Sequence, residues 1–287
     1  MDIMGKRKIW YAISLIVIIV GFSFLLFNGL NFGIDFTGGT ILEFTFDNKI
    51  SNQEIRNVLG DLDFSIDPQL QQTEVDGSPG VIIKTRELNS EQITSVQELL
   101  KDRFSSTEML RSDMVGPLIG QELTRNSIFA IIIASLAIVA YISMRFEFRF
   151  AIVAIFTLLH DVAIVLGFFA IVQKEINTAF VAALLTIIGY SINDTIVIFD
   201  RIRENMKIMR KKSFEEKANT AVVDTLPRSI NTSMTTLITI LAIYFFGGAS
   251  LQTFMLALFV GMFSGTYSSI FVASPLLITW TKKIAKN

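Results

Sequence analysis

Asp194 lies beside Asn193 in the run GYSINDTIVIFDRIRE, inside a stretch, Phe180 to Phe199, otherwise apolar enough to cross a membrane. A charged side chain near the middle of a lipid-embedded helix costs about 2.5 to 3.5 kcal/mol on insertion scales, so such groups face a protein interior or a water path. Asp161 is a second acid, central to the preceding apolar run and next to the only histidine, His160. Arg228 stands at the start of the following one. A carboxylate near a movable positive charge can exchange between ionised and neutral states, which is the chemistry of a reversible proton or cation site. The competing reading is structural: a buried Asp bonded to Thr or Asn on a neighbouring helix acts as glue, usually worth about 0.6 kcal/mol. For Asp194, Asn193 alongside and Arg228 in reach favour the ion site. For Asp161 the two readings balance. One histidine without cysteine makes a poor metal set, so no metal is expected.

These residues need a membrane bundle to position them. Of 287 residues 51% are hydrophobic and 25 are Phe, far from the mix of a soluble domain. Six apolar runs approach or exceed the roughly 20 residues that span a bilayer: Ile9 to Phe27, Ile128 to Met144, Phe150 to Val172, Thr178 to Phe199, Ile230 to Phe246 and Phe254 to Trp280. The first follows Lys6, Arg7 and Lys8 like a signal peptide, but it is longer than a usual leader core and Asn28-Gly29-Leu30-Asn31 offers no small-x-small cleavage pattern, so it reads as a retained helix. The absence of cysteine excludes disulfides and thiolate sites.

Orientation follows from Lys and Arg. With an inside N-terminus, the inner segments collect Lys6, Arg7, Lys8, Arg145, Arg149, the eight between Arg201 and Arg228, and Lys282, Lys283 and Lys286, whereas the short outer loops hold only Lys174. Both termini are expected in the cytoplasm. The expected organisation is a first helix over 1–28, an acidic extracytoplasmic domain over 29–126, and helices two to six over 127–287, with a cytoplasmic loop at 200–229 and a cytoplasmic tail.

The outer domain reads as β-α-β-β-α-β, the ferredoxin-like pattern. Thr40 to Phe46 alternates, with Leu42, Phe44 and Phe46 on one side. Ser51 with Glu54 opens a helix that Gly60 stops. Gln69 to Val75 and Val81 to Arg86 flank the turn Asp76-Gly77-Ser78-Pro79-Gly80. Asn89 with Gln92 opens a helix through Phe104, and Thr107 to Val115 closes the set. A surface that handles another polypeptide or a partner subunit is preferred to an inert cap.

At 100° per residue, Thr186, Gly189, Tyr190, Asn193 and Asp194 share an arc of about 140° on the fourth span. Arg228, Asn231, Thr232, Thr235 and Thr239 form a stripe on the fifth. Pro227 is expected in the first turn of that span, where its missing N–H does no harm. Ser213 with Glu216 caps a separate short cytoplasmic helix expected to end near Leu226. The sixth span brings Gly261, Gly265, Ser268 and Ser269 to nearby faces, a pattern for close helix packing.

Five motifs carry a resemblance: FGIDFTGGT at Phe32 to Thr40, RSDMVGPLIGQEL at Arg111 to Leu123, LLHDVAIVLGFFA at Leu158 to Ala170, LLTIIGYSINDTIVIFDRIREN at Leu184 to Asn205, and LPRSINTSMTTL at Leu226 to Leu237. Together, in this order over nearly the whole chain, they resemble the SecF family of the bacterial Sec protein-export machinery, within the resistance-nodulation-division superfamily. The resemblance implies six spans, a ferredoxin-like outer domain, residence in the bacterial cytoplasmic membrane, and operation with SecD beside the SecYEG channel. It further implies use of proton or sodium motive force in late steps of export of an unfolded polypeptide. Asp194 and Arg228 match family positions implicated in ion coupling, and Asp161 matches the acid of the third span. With Asn193, these are the candidate coupling residues, while Asp35, Gly38, Gly39, Gly116, Pro117 and Gly120 belong to the family motifs. No enzymatic activity, no cofactor beyond H+ or Na+ as coupling ion, and no nucleic-acid partner are expected.

Other classes fit less well. An ATP-driven pump would need a GxxxxGK[ST] loop, and the sequence has none. An intramembrane protease would need a nucleophile and base, and His160 has no obvious serine partner. Half of a lipid or small-molecule exporter of the same superfamily is the serious alternative, although such exporters usually carry both six-span halves in one chain.

Overall fold

A computed structural model describes residues 2–75, 77–104 and 106–284. Asp76 of the expected turn and Lys286 of the C-terminal basic cluster lie outside the described residues. The chain divides into two compact units, Phe32–Asn126 and the remainder.

The smaller unit holds the expected order. After a single turn of helix, α2 (Ile34–Thr37), come β1 (Gly39–Thr45), α3 (Asn52–Leu59), β2 (Gln69–Val75), β3 (Ser78–Thr85), α4 (Ser90–Arg103) and β4 (Glu108–Val115). The antiparallel sheet runs β2-β3-β1-β4. Alternation on β1 sends Leu42 and Phe44 into a core with Phe46, Ile55, Leu59, Val81, Ile83, Val96 and Leu100, so α3 and α4 cover one face of the sheet. Both capping boxes form. In the first, Glu54 N–H donates to Ser51 Oγ while Ser51 N–H donates back to the Glu54 carboxylate at 2.9 Å. The Ser51 N–H and, at 2.8 Å, the Ser51 hydroxyl both donate to the Glu54 carboxylate and hold its pKa below the ordinary value.

The two glycine-bearing motifs of this unit meet. Gly38 and Gly39 have φ of +72° and +129°, and a Cβ on Gly39 would lie 2.5 Å from Thr85 O. Only glycine tolerates both the backbone angle and the approach. A Cβ on Gly38 would sit 3.3 Å from Pro117 Cα, and one on Gly120 3.2 Å from Gly38 N. Asp35 stands in α2, in the turn just before this glycine pair.

In the larger unit, α1 (Arg7–Asn28), α6 (Phe148–Val172), α7 (Thr178–Ile208) and α8 (Phe214–Phe246) pack with a last span made of α9 (Ala249–Ser268), a π-helical turn (Ser269–Ala273) and α10 (Ser274–Ile284). The helix α5 (Pro117–Arg145) begins in the smaller unit and ends in this one. Six helices among the described residues are long and apolar enough to cross a membrane. At one end of the bundle Asn219 Oδ1 accepts the N–H groups of Ile3 and Met4 at 2.9 and 3.2 Å. Both residues sit in a core with Phe150, Phe199, Ala218 and Val222.

Two expectations change here. Ser213 and Glu216 form the expected capping box, but the helix they open does not end at Leu226: α8 runs unbroken to Phe246 with Pro227 inside it. Pro227 therefore removes one interior i to i−4 hydrogen bond, usually costing about 3 kcal/mol, instead of occupying a harmless first turn. Ala218, Ala221, Val222 and Thr225 are buried on the N-terminal half, so packing holds the helix straight through its weakest position. Within 200–229, expected as the cytoplasmic segment between spans four and five, α7 reaches Ile208 and α8 starts at Phe214.

Candidate functional site

The fourth span is α7, and its polar arc splits between two directions. Thr186, Gly189 and Asn193 are exposed on the bundle surface. Asp194 turns inward and is 6% exposed. Among the described residues its Oδ2 has no hydrogen-bond partner, and neither do the buried Tyr190 Oη one turn earlier or Ser229 Oγ on α8. Buried polar atoms without partners are scarce in folded proteins, and each of these three, on helices that pack together, calls for a water or ion as its partner.

Arg228 is exposed on α8, next to Ser229. Its charge reaches the Asp194 carboxylate through space, but among the described residues no hydrogen bond or ion pair joins the two. The expected stripe on α8 is present. Arg228, Asn231, Thr232, Thr235 and Thr239 are all exposed, and the Thr235 and Thr239 hydroxyls donate to Asn231 O and Thr235 O, each at 3.0 Å. The helix thereby satisfies its own threonines while leaving Asn231 and Arg228 available.

Asp161 meets the opposite surroundings. It is 1% exposed at the centre of α6. Its Oδ2 accepts from Ser191 Oγ on α7 at 2.5 Å and from Ser268 Oγ on α9 at 2.8 Å. Its Oδ1 accepts from Ser264 Oγ on α9 at 2.7 Å and lies 3.0 Å from His160 Nδ1. The His160 ring stacks on Tyr267, whose hydroxyl donates to Trp10 O at 3.1 Å. One turn further along α7, Thr195 Oγ1 and Ser269 Oγ are 2.8 Å apart. Sequence reasoning singled out Ser268 and Ser269 but missed Ser191 and Ser264. The available signal was the i, i+4 spacing of Ser264 and Ser268, which puts both on one face.

Glycines let these helices come close. A Cβ on Gly265 would lie 3.0 Å from Ser191 Cβ, and one on Gly261 would lie 2.3 Å from Ile187 Cδ1. The GMFSG pattern thus presses α9 onto α7 at the level of the serine cage. Among the described residues no group of three or more His, Cys, Asp or Glu side chains is arranged to hold a metal ion.

Residues 95–283 match the family model "Protein export membrane protein SecD/SecF, C-terminal", and residues 23–50 match "SecD/SecF GG Motif". The chain is 43% identical to protein translocase subunit SecF of Thermobaculum terrenum, over 98% of this chain and 94% of that one. It is 38% identical to protein translocase subunit SecDF of Bacillus subtilis over its whole length, which is 39% of the fused protein. Among solved structures, SecDF of Thermus thermophilus, described as a translocon-associated membrane protein, matches with a TM-score of 0.90 at 36% identity, covering 98% of this chain and 39% of that one. The super-membrane-facing form of SecDF matches with a TM-score of 0.73. A six-helix bundle with an acid on its fourth span, a glycine-paired α/β unit and full-length relatives of this identity place the chain in the SecF family of protein translocase subunits.

Proposed function

We propose that this chain is an accessory subunit of the Sec translocase that works with a SecD-type partner to couple proton or sodium motive force to late steps of polypeptide export. One observation carries the reading: Asp194 is buried in a membrane helix with a carboxylate oxygen that has no partner among the described residues, and it lies within the field of Arg228. A carboxylate so placed can take up and release a cation as its neighbours move, whereas a purely structural acid would be saturated with donors. Asn193 and the α8 stripe would line the approach. The chain corresponds to 39% of the fused SecDF proteins, which supports a separate SecD-type subunit supplying the other half and a place beside the SecYEG channel. The acidic α/β unit would then stand on the extracytoplasmic side and meet the emerging polypeptide.

The test is export into membrane vesicles with and without an uncoupler. Asp194→Asn keeps shape and insertion but loses the ionisable group, so its export rate should fall to the uncoupled wild-type level and become insensitive to the uncoupler. Wild-type uncoupler sensitivity in the variant would remove Asp194 from the coupling role.

A further inference from the structure

We infer that Asp161 is a positioning residue for the coupling site, fixing the turn of α7 that presents Asp194, and that Ser191, Ser264 and Ser268 are the groups through which it acts. The inference rests on the role proposed for Asp194. Both Asp161 oxygens are engaged: three serine hydroxyls and His160 Nδ1 surround them at 2.5 to 3.0 Å. An ion carrier must exchange its ligands, and every approach to this carboxylate is occupied by a protein group. Asp194, with a bare oxygen, is the reverse case.

The partners also come from the right places. Ser191 precedes Asp194 by three residues, within one turn of α7, while Ser264 and Ser268 lie one turn apart on α9. Asp161 therefore joins three helices at one level. Thr195, directly after Asp194, is held by Ser269 at the start of the π-helical turn. Asp194 is bracketed by two ties from α7 to its neighbours. A rotation of α7 by a single residue, 100°, would carry Asp194 out of the bundle, and both ties would have to break for that to occur. The wide turn at Ser269–Ala273 keeps the second tie on the α7 side while Ser274 Oγ reaches back to Ser269 O at 3.3 Å.

Positioning needs acceptors and donors at the carboxyl, whereas ion carriage needs ionisation. Asp161→Asn keeps one acceptor oxygen and offers an NH2 to serine hydroxyls that can rotate to accept; Asp161→Leu offers neither. The experiment uses the full chain with its partner subunit in membrane vesicles, at matched amounts. It reads ion-gradient-dependent export together with disulfide formation between Ile187→Cys and Gly261→Cys, a pair that reports α7 against α9 in a chain with no cysteine of its own. Asp161→Asn should keep about half or more of the gradient-dependent stimulation and near wild-type crosslinking. Interhelical hydrogen bonds in membranes are worth about threefold each, so Asp161→Leu should lower both readouts by up to about twentyfold and Ser268→Ala by about threefold.

If Asp161→Asn abolishes stimulation while crosslinking stays intact, Asp161 carries the ion and the inference falls. It falls equally if Asp161→Asn fails to accumulate, or if Asp161→Leu or Ser268→Ala matches wild type in both readouts. Asp194→Asn serves as the control. Should that variant keep stimulation, the coupling reading is lost, while the crosslinking arm still decides the cage.

Discussion

A carboxylate oxygen left bare inside a membrane bundle carries a desolvation cost that nothing local offsets, so its retention calls for a use. Asp194 has such an oxygen and Asp161 does not. Arg228 is the cation whose charge reaches Asp194, and its guanidinium combines a long stem with a planar fork able to serve a carboxylate bidentately once the two close. We expect Arg228→Lys, which keeps the charge but loses the fork, to reduce gradient-dependent export about tenfold, the worth of one hydrogen bond to a charged group. Arg228→Ala should abolish it. Wild-type export by the Lys variant would reduce the requirement to charge alone, and wild-type export by the Ala variant would dismiss the residue. At this scale the sequence is informative because an acid in an apolar run is conspicuous by itself. The cage around Asp161 was not legible, since Ser191, Ser264 and Ser268 stand 30, 103 and 107 residues away and serines are ordinary in membrane helices.

Local chemistry sets the elements well wherever the deciding contacts are near in sequence. Ser51 with Glu54, Asn89 with Gln92 and Ser213 with Glu216 all form the expected capping boxes, because each involves only four residues. Pro227 misleads for the opposite reason: whether a helix survives an interior proline depends on tertiary packing, here the buried face from Ala218 to Thr225. The meeting of α1 and α6 was equally invisible. Gly21 and Gly167 face each other so closely that a Cβ on either would sit 2.8 Å from the other's Cα. Gly167→Ala should therefore force the helices apart and lower stability by about 1 to 3 kcal/mol, the usual cost of overpacking. Thermal unfolding of the purified variant in detergent checks this, and an unchanged midpoint would mean that the two helices give way freely.

On the scale of the whole molecule, the polar faces need cover. Thr186 and Asn193 on α7, with Arg228, Asn231 and Thr235 on α8, are exposed on helices apolar enough to lie in lipid. Leaving them against acyl chains would be costly, so a second protein surface is expected there. The excess of Lys and Arg in the segments expected inside predicts the orientation: single cysteines at Ser51 and Ser78 should label from outside intact spheroplasts, and one at Ser213 only after permeabilisation. Outside labelling at Ser213 would overturn the orientation. The fold class was readable at this scale because hydropathy and the β-α-β-β-α-β order are properties of long windows, whereas the pairing of Gly38 with Pro117 joins residues far apart in the chain. If the chain is one half of an ion-driven device, reconstitution should reveal its dependence on the other half. The purified subunit, alone and with a SecD-type partner, is placed in proteoliposomes with the channel, and release of an exported polypeptide is compared with and without an ion gradient. Gradient-dependent release is expected only when both subunits are present; equal gradient-dependent release by this chain alone would contradict the two-subunit reading.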